Sequence, residues 1–225
     1  MLMKEIEVLV ALGLFVVCFL LGSIPWGVVI SEVFFKKDIR QEGSGNIGTT
    51  NAMRSLGKIG GGAVFLLDFG KGLLSGFLAL LACWYLLPGG GLAPDSLITY
   101  DTMLALSFMG CIFGHIFSPW LGFKGGKGIA VAVGCLFVTL GPVSALIEIA
   151  LFAVIVIATR YVSAGSVAAA VLCPFLALYV FWGEWLAFAL VTISALVVIW
   201  AHRGNIDRLR RGTERRIGDK KKQEA

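Results

Sequence analysis

The sequence predicts an all-α fold, a polytopic membrane helix bundle with about seven transmembrane helices. Hydrophobic residues make up 58% of the 225 residues and charged residues only 15%, whereas an ordinary soluble domain has about 25% charged residues. The mean hydropathy is +0.89, and the polar residues are gathered in short segments between long apolar runs. A chain of this length holds one such bundle, with no room for a second sizeable domain.

Apolar runs set the predicted helices, because a spanning helix needs roughly 20 apolar residues. Spans are predicted near residues 6–30, 60–87, 102–120, 129–141, 143–160, 164–182 and 185–201. The fourth is short, since about 12 residues rise about 18 Å and the bilayer core is about 30 Å thick. The alternative is a single long helix over 129–160, kinked at Gly141-Pro142.

The positive charges favour seven spans, with the N-terminus outside and the C-terminus in the cytoplasm. This topology puts 17 of the 19 Lys and Arg residues on the inner side, as the positive-inside rule requires. The predicted outer loops at 88–101, 141–142 and 183–184 contain neither Lys nor Arg. A single span over 129–160 would instead move Arg160 and the basic C-terminus outside.

The chain is predicted to be one membrane domain over residues 1–211, followed by a frayed basic cytoplasmic tail over 212–225. The net charge of +5 is explained by this topology and by anionic lipid headgroups. Nucleic acid is not expected as a partner.

The first unusual polar segment is the loop 43–51, followed by Arg54. Its glycines expose backbone N–H groups, its side chains add neutral donors, and Arg54 adds a cation that can bind two oxygens, a composition that suits phosphate. The loop residues concerned are Gly43, Ser44, Gly45, Asn46, Gly48 and Asn51. A plain turn between helices is the alternative.

The second polar segment, residues 124–128, precedes the apolar run that begins at Ile129. The free N–H groups and partial positive charge of a helix N-terminus, beside two lysines, predict a second anion site. Its residues are Lys124, Gly125, Gly126, Lys127 and Gly128. It is not a Walker A motif, because no Gly stands at position 121 and Gly128 replaces Ser or Thr. Lysines reaching to the membrane interface are the alternative.

Both histidines, His115 and His202, are predicted at inner ends of spans. Ionisable groups in spans are candidates for function, although a helix-to-helix hydrogen bond is also possible. Asp68 and Lys71 lie one helical turn apart and form either a structural pair or part of the site. Ser163 and Ser166 either cap a helix or offer hydroxyls to a ligand. We expect no metal and no cofactor, because His, Cys, Asp and Glu show no metal-ligand spacing.

Further ordered motifs accompany these segments. They are Gly22–Gly27, Asp38–Arg40, Gly114–Phe117, Arg160 with Ser163 and Ser166, His202–Ile206 and Gly212–Glu214. Together with the two polar segments they resemble the bacterial acyl-phosphate-dependent glycerol-3-phosphate acyltransferases, the PlsY family. The departures are Ile47, Thr49 and Ser118, where the family usually has Pro, Ala and Pro.

The resemblance implies a fatty acyl transfer from long-chain acyl phosphate to the 1-hydroxyl of sn-glycerol 3-phosphate. The products are lysophosphatidate and phosphate, in the first acylation of bacterial phospholipid synthesis. It also implies a multi-pass enzyme of the bacterial cell membrane with its site on the cytoplasmic face. The expected partners of the monomer are membrane lipids and an adjacent acyl-phosphate-producing enzyme. A transporter for phosphorylated solutes is the alternative.

The resemblance also assigns roles. It implies that His202, Asn205 and Ser44 are catalytic. Substrate is expected at Gly43, Gly45, Asn46, Gly48, Asn51, Arg54, His115, Lys124, Gly125, Gly126, Lys127, Gly128, Ser163 and Ser166. Two proton acceptors remain open, His202 as a general base and the phosphate of the acyl donor.

Overall fold

The computed structural model describes residues 2–87, 89 and 96–219, and its regular secondary structure in these ranges is helical, without a strand. Parts of the predicted outer loop 88–101, and residues 220–225 of the predicted tail, lie outside the described residues. The helices are α1 Leu2–Ser23, α2 Trp26–Phe35, α3 Thr49–Ser55, α4 Gly57–Leu86, α5 Tyr100–Ile116, α6 Ile129–Thr139, α7 Gly141–Thr159, α8 Val162–Val180, α9 Trp185–Ala201 and α10 Arg203–Arg210. The all-α prediction is confirmed for these residues.

The first predicted span, 6–30, is broken in the structure. Helix α1 ends at Ser23 and α2 begins at Trp26. Pro25 stands between them and explains the break, because proline has no N–H to donate and disfavours the helical conformation in the residue before it. The apolar segment then continues to Phe35, so it is longer than the sequence predicted.

Residues 129–160 form two helices, as the charge pattern indicated, rather than one kinked helix. Leu140 ends α6, and Gly141 starts α7 with a left-handed φ of +80°. Pro142 follows in the first turn of α7, the position where a missing N–H costs least. The 11 residues of α6 rise about 16 Å, which is too short to cross a bilayer core of about 30 Å.

The length and apolar character of the helices allow five or six membrane crossings within the described residues. Five helical segments qualify, with α1 and α2 taken together as one, and α9 joined to the bent α10 would be a sixth. The two helices of that pair meet at 53°. The predicted seven crossings and the outside position of the N-terminus therefore stay predictions.

Helix α5 lies at the centre of the bundle and packs against α1, α4, α6 and α9. Close contact with α1 depends on Gly114, where an added Cβ would overlap the Phe19 carbonyl. Gly72 of α4 meets the Val131 carbonyl of α6 in the same way. Because these helices are packed backbone to backbone, the C-terminal end of α5 is held close to α1 and the N-terminal end of α6 is held close to α4.

The loop between α2 and α4 is anchored by its own small apolar cluster. Ile39, Ile47 and Ala52 are buried there against Val28 of α2 and Val64 of α4. The polar residues 43–46 are therefore carried on a fixed loop.

Candidate active site

An open pocket of about 300 Å³ lies where three distant parts of the chain meet. These are the loop at 44–46, the turn that ends in Lys127 and the junction of α9 with α10. The residues that line it are Ser44, Gly45, Asn46, Lys127, Ala201, Arg203, Gly204, Asn205 and Arg208. Five of the predicted site residues are thus brought together, namely Ser44, Gly45, Asn46, Lys127 and Asn205.

Lys127 is a half-buried cation on the pocket wall. Its Nζ donates a hydrogen bond to Oδ1 of Asn205, which is itself buried. Burial, helped by the positive charges of Arg208 and Arg54 and opposed by Glu214, lowers the pKa of Lys127 to about 8. The ammonium is therefore a cation that an incoming anion would stabilise further.

Glu214 organises one side of the pocket, although the sequence did not predict it as a site residue. Its Oε1 accepts hydrogen bonds from Asn205 Nδ2 at 2.7 Å and Ser163 Oγ at 2.8 Å, and its Oε2 accepts one from Arg208 Nε at 2.7 Å. Burial alone would raise the pKa of Glu214, but these three hydrogen bonds lower it overall. The available signal was the motif Gly212–Glu214, which ends in an acid among many arginines.

The segment 212–219 is not a frayed tail, so that expectation is wrong for these residues. Besides the contacts of Glu214, the Ile217 carbonyl accepts from Arg160 Nε at 3.0 Å. Arg216 stacks on the Tyr161 ring and donates to its hydroxyl. The segment folds back because its acid and its carbonyls satisfy donors at the α7–α8 connection.

Asn51, the last residue of the segment 43–51, is buried and does not line the pocket, contrary to its predicted role. Its side chain, 2% exposed, accepts from the Ser44 N–H and donates to the carbonyls of Ile39 and Glu42. Because all three of these bonds are internal, Asn51 shapes the loop. Gly43 and Gly45 have left-handed φ values of +60° and +69°, so the tight bend at Ser44 requires glycine.

Two glycines of the turn 124–128, Gly125 and Gly126, have no free N–H group to offer to the predicted anion site. Gly125 N–H donates to the Ile116 carbonyl at 2.9 Å, and Gly126 N–H donates to the His115 carbonyl at 3.0 Å. Their backbone donors are therefore occupied by the end of α5. Lys124 is exposed and, like Gly128, does not line the pocket.

His115 is also absent from the pocket lining. The ring is 4% exposed, and its Nδ1 lies 3.1 Å from Lys71 Nζ. Lys71 pairs with Asp68 at 2.9 Å. The three side chains form a cluster buried beneath the turn, which favours the structural interpretation of the Asp68–Lys71 pair.

His202 ends α9 with its ring buried, 3% exposed and outside the pocket lining. Its Nδ1 donates to the Val198 carbonyl at 2.8 Å, which leaves the proton off Nε2 in the neutral ring. Burial lowers the pKa of His202 to about 4. The histidine is therefore neutral at pH 7 and a weak base.

The predicted serines of α8 have internal partners. Ser166 donates to the Val162 carbonyl of its own helix at 3.0 Å, and Ser163 reaches the pocket only through Glu214. Neither lines the pocket. Gly43, Gly48 and Arg54 do not line it either, but Arg54 lies near enough to lower the pKa of Lys127.

The sequence missed Arg203, Gly204 and Arg208 as pocket residues. Arg203 is held with its guanidinium 4.0 Å from the centre of the Trp200 ring, and Arg208 is fixed by Glu214. The sequence pattern that could have identified Gly204 and Arg208 is their spacing, with Asn205, on one short helix. Positions 204, 205 and 208 recur on a single face of α10.

Comparisons with known proteins show the family to which the chain belongs. The family model described as glycerol-3-phosphate acyltransferase matches residues 12–212. A glycerol-3-phosphate acyltransferase of Syntrophomonas wolfei is 38% identical over 209 residues, covering 92% of this chain and 97% of the relative. That of Chlorobaculum parvum is 35% identical over 227 residues, covering 92% and 96%.

Two solved structures share the fold. Both are crystal structures of PlsY, an integral membrane glycerol 3-phosphate acyltransferase. Its glycerol 3-phosphate form superposes with a TM-score of 0.77 at 33% identity, covering 92% of this chain and 96% of that one. Its lysophosphatidic acid form gives 0.74 at 32% identity, covering 92% and 95%. A match along nearly the whole length, in sequence and in fold, means that this chain belongs to the glycerol-3-phosphate acyltransferase family.

Proposed function

We propose that this chain moves a fatty acyl group from an acyl phosphate to the 1-hydroxyl of sn-glycerol 3-phosphate, forming lysophosphatidate and inorganic phosphate. The observation that carries the proposal is the cationic pocket beside the apolar bundle. Lys127, Arg203 and Arg208 supply positive charge, and Asn46 and Asn205 supply neutral amides. Such a pocket suits two phosphorylated substrates, one of which has a hydrocarbon chain.

In the proposed reaction, the glycerol hydroxyl oxygen attacks the acyl carbonyl carbon. The bond between that carbon and the phosphate oxygen then breaks, and the released phosphate takes the proton of the hydroxyl. Lys127 and Asn205 stabilise the negative charge that develops in the tetrahedral transition state. Ser44 and Arg208 hold phosphate oxygens, because hydroxyl and guanidinium donors match them.

Phosphate is favoured over His202 as the proton acceptor. The ring of His202 is buried, and His202 is not among the residues that line the pocket. A pKa of about 4 makes it a poor base at neutral pH. We assign His202 the role of holding the junction that presents Asn205.

The site is proposed to face the cytoplasm of a bacterium, in a chain with seven crossings and its N-terminus outside. The distribution of Lys and Arg along the sequence supports this orientation. A transporter would need polar side chains along its spans, whereas most faces of these helices are apolar.

The test is an assay of the purified chain with labelled glycerol 3-phosphate and either palmitoyl phosphate or palmitoyl coenzyme A. We expect labelled lysophosphatidate with the acyl phosphate alone. Product only with the thioester would reject the proposed donor. No product with either would reject the proposed function.

A further inference from the structure

The buried ammonium of Lys71 has three N–H donors and three acceptors within hydrogen-bond distance. Asp68 Oδ1 lies at 2.9 Å, the Ile24 carbonyl at 2.8 Å and His115 Nδ1 at 3.1 Å. The side chains of Lys71 and Asp68 are only 2% and 3% exposed. The contacts with Ile24 and His115 are hydrogen bonds, and the contact with Asp68 is an ion pair.

These contacts join parts of the chain that are far apart in sequence. Ile24 lies at the break between α1 and α2, Asp68 and Lys71 lie in α4, and His115 lies in the last turn of α5. A buried ion pair is weak evidence for stability, because apolar residues of similar volume often serve as well. Stabilisation by the ion pair therefore does not explain why Lys71 and Asp68 are placed next to His115.

The contact with Lys71 decides which nitrogen of His115 carries its proton. A lysine ammonium only donates, so Nδ1 must offer a lone pair, and the proton of the neutral ring is on Nε2. That nitrogen faces Gly126, where an added Cβ would overlap Nε2. The imidazole is therefore fixed on one side by Lys71 and covered on the other by the backbone of the turn.

The turn 124–128 is built onto this ring and its backbone. The N–H groups of Gly125 and Gly126 donate to the carbonyls of Ile116 and His115. A Cβ on Gly125 would overlap the His115 carbonyl. Lys127 is the next residue, and its Nζ reaches Asn205 across the pocket.

We propose that Lys71 is a positioning residue, which acts with Asp68 through His115 and the glycine turn to hold Lys127 in the pocket. Lys71 does not line the pocket and acts without contacting the substrate. Its removal frees the His115 ring and lets the turn move. The importance of Lys127 for turnover rests on the proposed function, but the position of Lys127 can be measured without turnover.

The experiment places a thiol at the position that Lys71 controls. All five native cysteines are buried, so Lys127→Cys introduces a single accessible site for a hydrophilic maleimide in detergent. We expect Lys71→Met, added to Lys127→Cys, to change the labelling rate by about tenfold, as a more mobile turn would. Gly126→Ala, which pushes a methyl against His115 Nε2, is expected to change it in the same direction.

The matched control is Glu148→Gln in the same Lys127→Cys background. Glu148 is a buried ionisable residue of α7 whose Oε1 has no hydrogen-bond partner among the described residues. The labelling rate of the variant that combines Glu148→Gln with Lys127→Cys should equal that of Lys127→Cys alone. Where Lys71→Met does not give monodisperse protein, Lys71→Gln, which keeps two N–H donors, replaces it. An unchanged rate in the folded Lys71 variant would overturn the proposal.

Activity gives a second readout with Lys127 present. Lys71→Met is expected to lower kcat/KM about 100-fold, the scale of a 1 Å misplacement at an active site, with a thermal midpoint close to that of Glu148→Gln. A loss of activity without a change in labelling would contradict the route through the turn. An inactive wild-type chain would instead reject the proposed function and leave the labelling result standing.

Discussion

The two polar segments are both rich in glycine, but the structure uses their glycines in different ways. In the loop 43–51, Ser44, Gly45 and Asn46 line the pocket themselves. In the turn 124–128 only Lys127 does, and the preceding glycines are packed against His115 and Ile116. Glycine allows a sharp bend in the first segment and close backbone contact in the second.

The difference teaches that glycine content does not identify an anion site by itself. A backbone N–H binds an anion only when no carbonyl already accepts from it. The carbonyls of Ile116 and His115 already accept hydrogen bonds from the N–H groups of Gly125 and Gly126, respectively. Each segment therefore makes its own contribution, a lining of loop residues in one and a single positioned cation in the other.

The largest expected effect separates the two lysines of the turn. Lys127→Ala should lower kcat/KM about 1,000-fold, the upper range for loss of a donor that stabilises transition-state charge. Lys124→Ala removes an exposed charge two residues from Gly126 and should leave kcat/KM within about twofold, because exposed charges contribute little. Steady-state kinetics on both variants makes the comparison. Equal losses would mean that the whole turn, rather than Lys127, contacts the substrate.

The next largest effect is expected at Glu214, which holds the pocket residues Asn205 and Arg208 in place. Glu214→Gln keeps the shape of the side chain but loses the charge that receives hydrogen bonds from Arg208, Asn205 and Ser163. Such bonds to a charged group contribute about 1.5–3 kcal/mol, so kcat/KM should fall by about 10- to 150-fold.

The control for Glu214 is Asp207→Asn, which removes an exposed acid from α10 whose ion pair among residues 2–87, 89 and 96–219 is with Arg211. It should retain the wild-type kcat/KM. A similar loss in both variants would show that the net charge of this surface, and not the position of Glu214, matters.

The membrane bundle was predictable because its signals are local. Apolar runs and charge placement indicated most helices, and the separation of α6 from α7 followed from the position of Arg160. The break at Pro25 and the return of residues 212–219 were missed. The second depends on partners more than 50 residues away, such as Ser163 for Glu214, which no local pattern contains.

The site was predictable in its motifs but not in the direction of each side chain. Ser44, Lys127 and Asn205 were identified and line the pocket, whereas His115 and Asn51 were identified and face inward. Both kinds of residue sit in the same motifs. Only the tertiary contacts decide which polar group is free for a ligand and which is used within the protein.

A smaller effect distinguishes the two asparagines of the first segment. Asn51→Ala leaves the Ser44 N–H without its partner and removes one of the two hydrogen bonds that the carbonyls of Ile39 and Glu42 each accept. The loss should cost about 2 kcal/mol, a fall of about 4–8 °C in the thermal midpoint. Asn46→Ala loses one bond to the Gly48 N–H and should lower the midpoint by less than half as much. Its main effect should instead be on KM for glycerol 3-phosphate. If both variants unfold at the same temperature, Asn51 does not hold the loop.

The smallest expected effect is a pH dependence that belongs to the turn and not to the loop. Because burial lowers the pKa of Lys127 to about 8, its ammonium is present below that pH and is lost above it. kcat/KM should therefore be halved near pH 8 and continue to fall as the pH rises. The substrate phosphates lose their second proton near pH 6, so they do not produce this alkaline fall.

Lys127→Arg keeps a charge at every pH measured and should remove the fall, even if its rate at pH 7 is lower. Ser44→Ala, which changes the neutral wall of the same pocket, should keep the alkaline fall. A fall that persists in Lys127→Arg would assign it to a group other than the lysine of the turn.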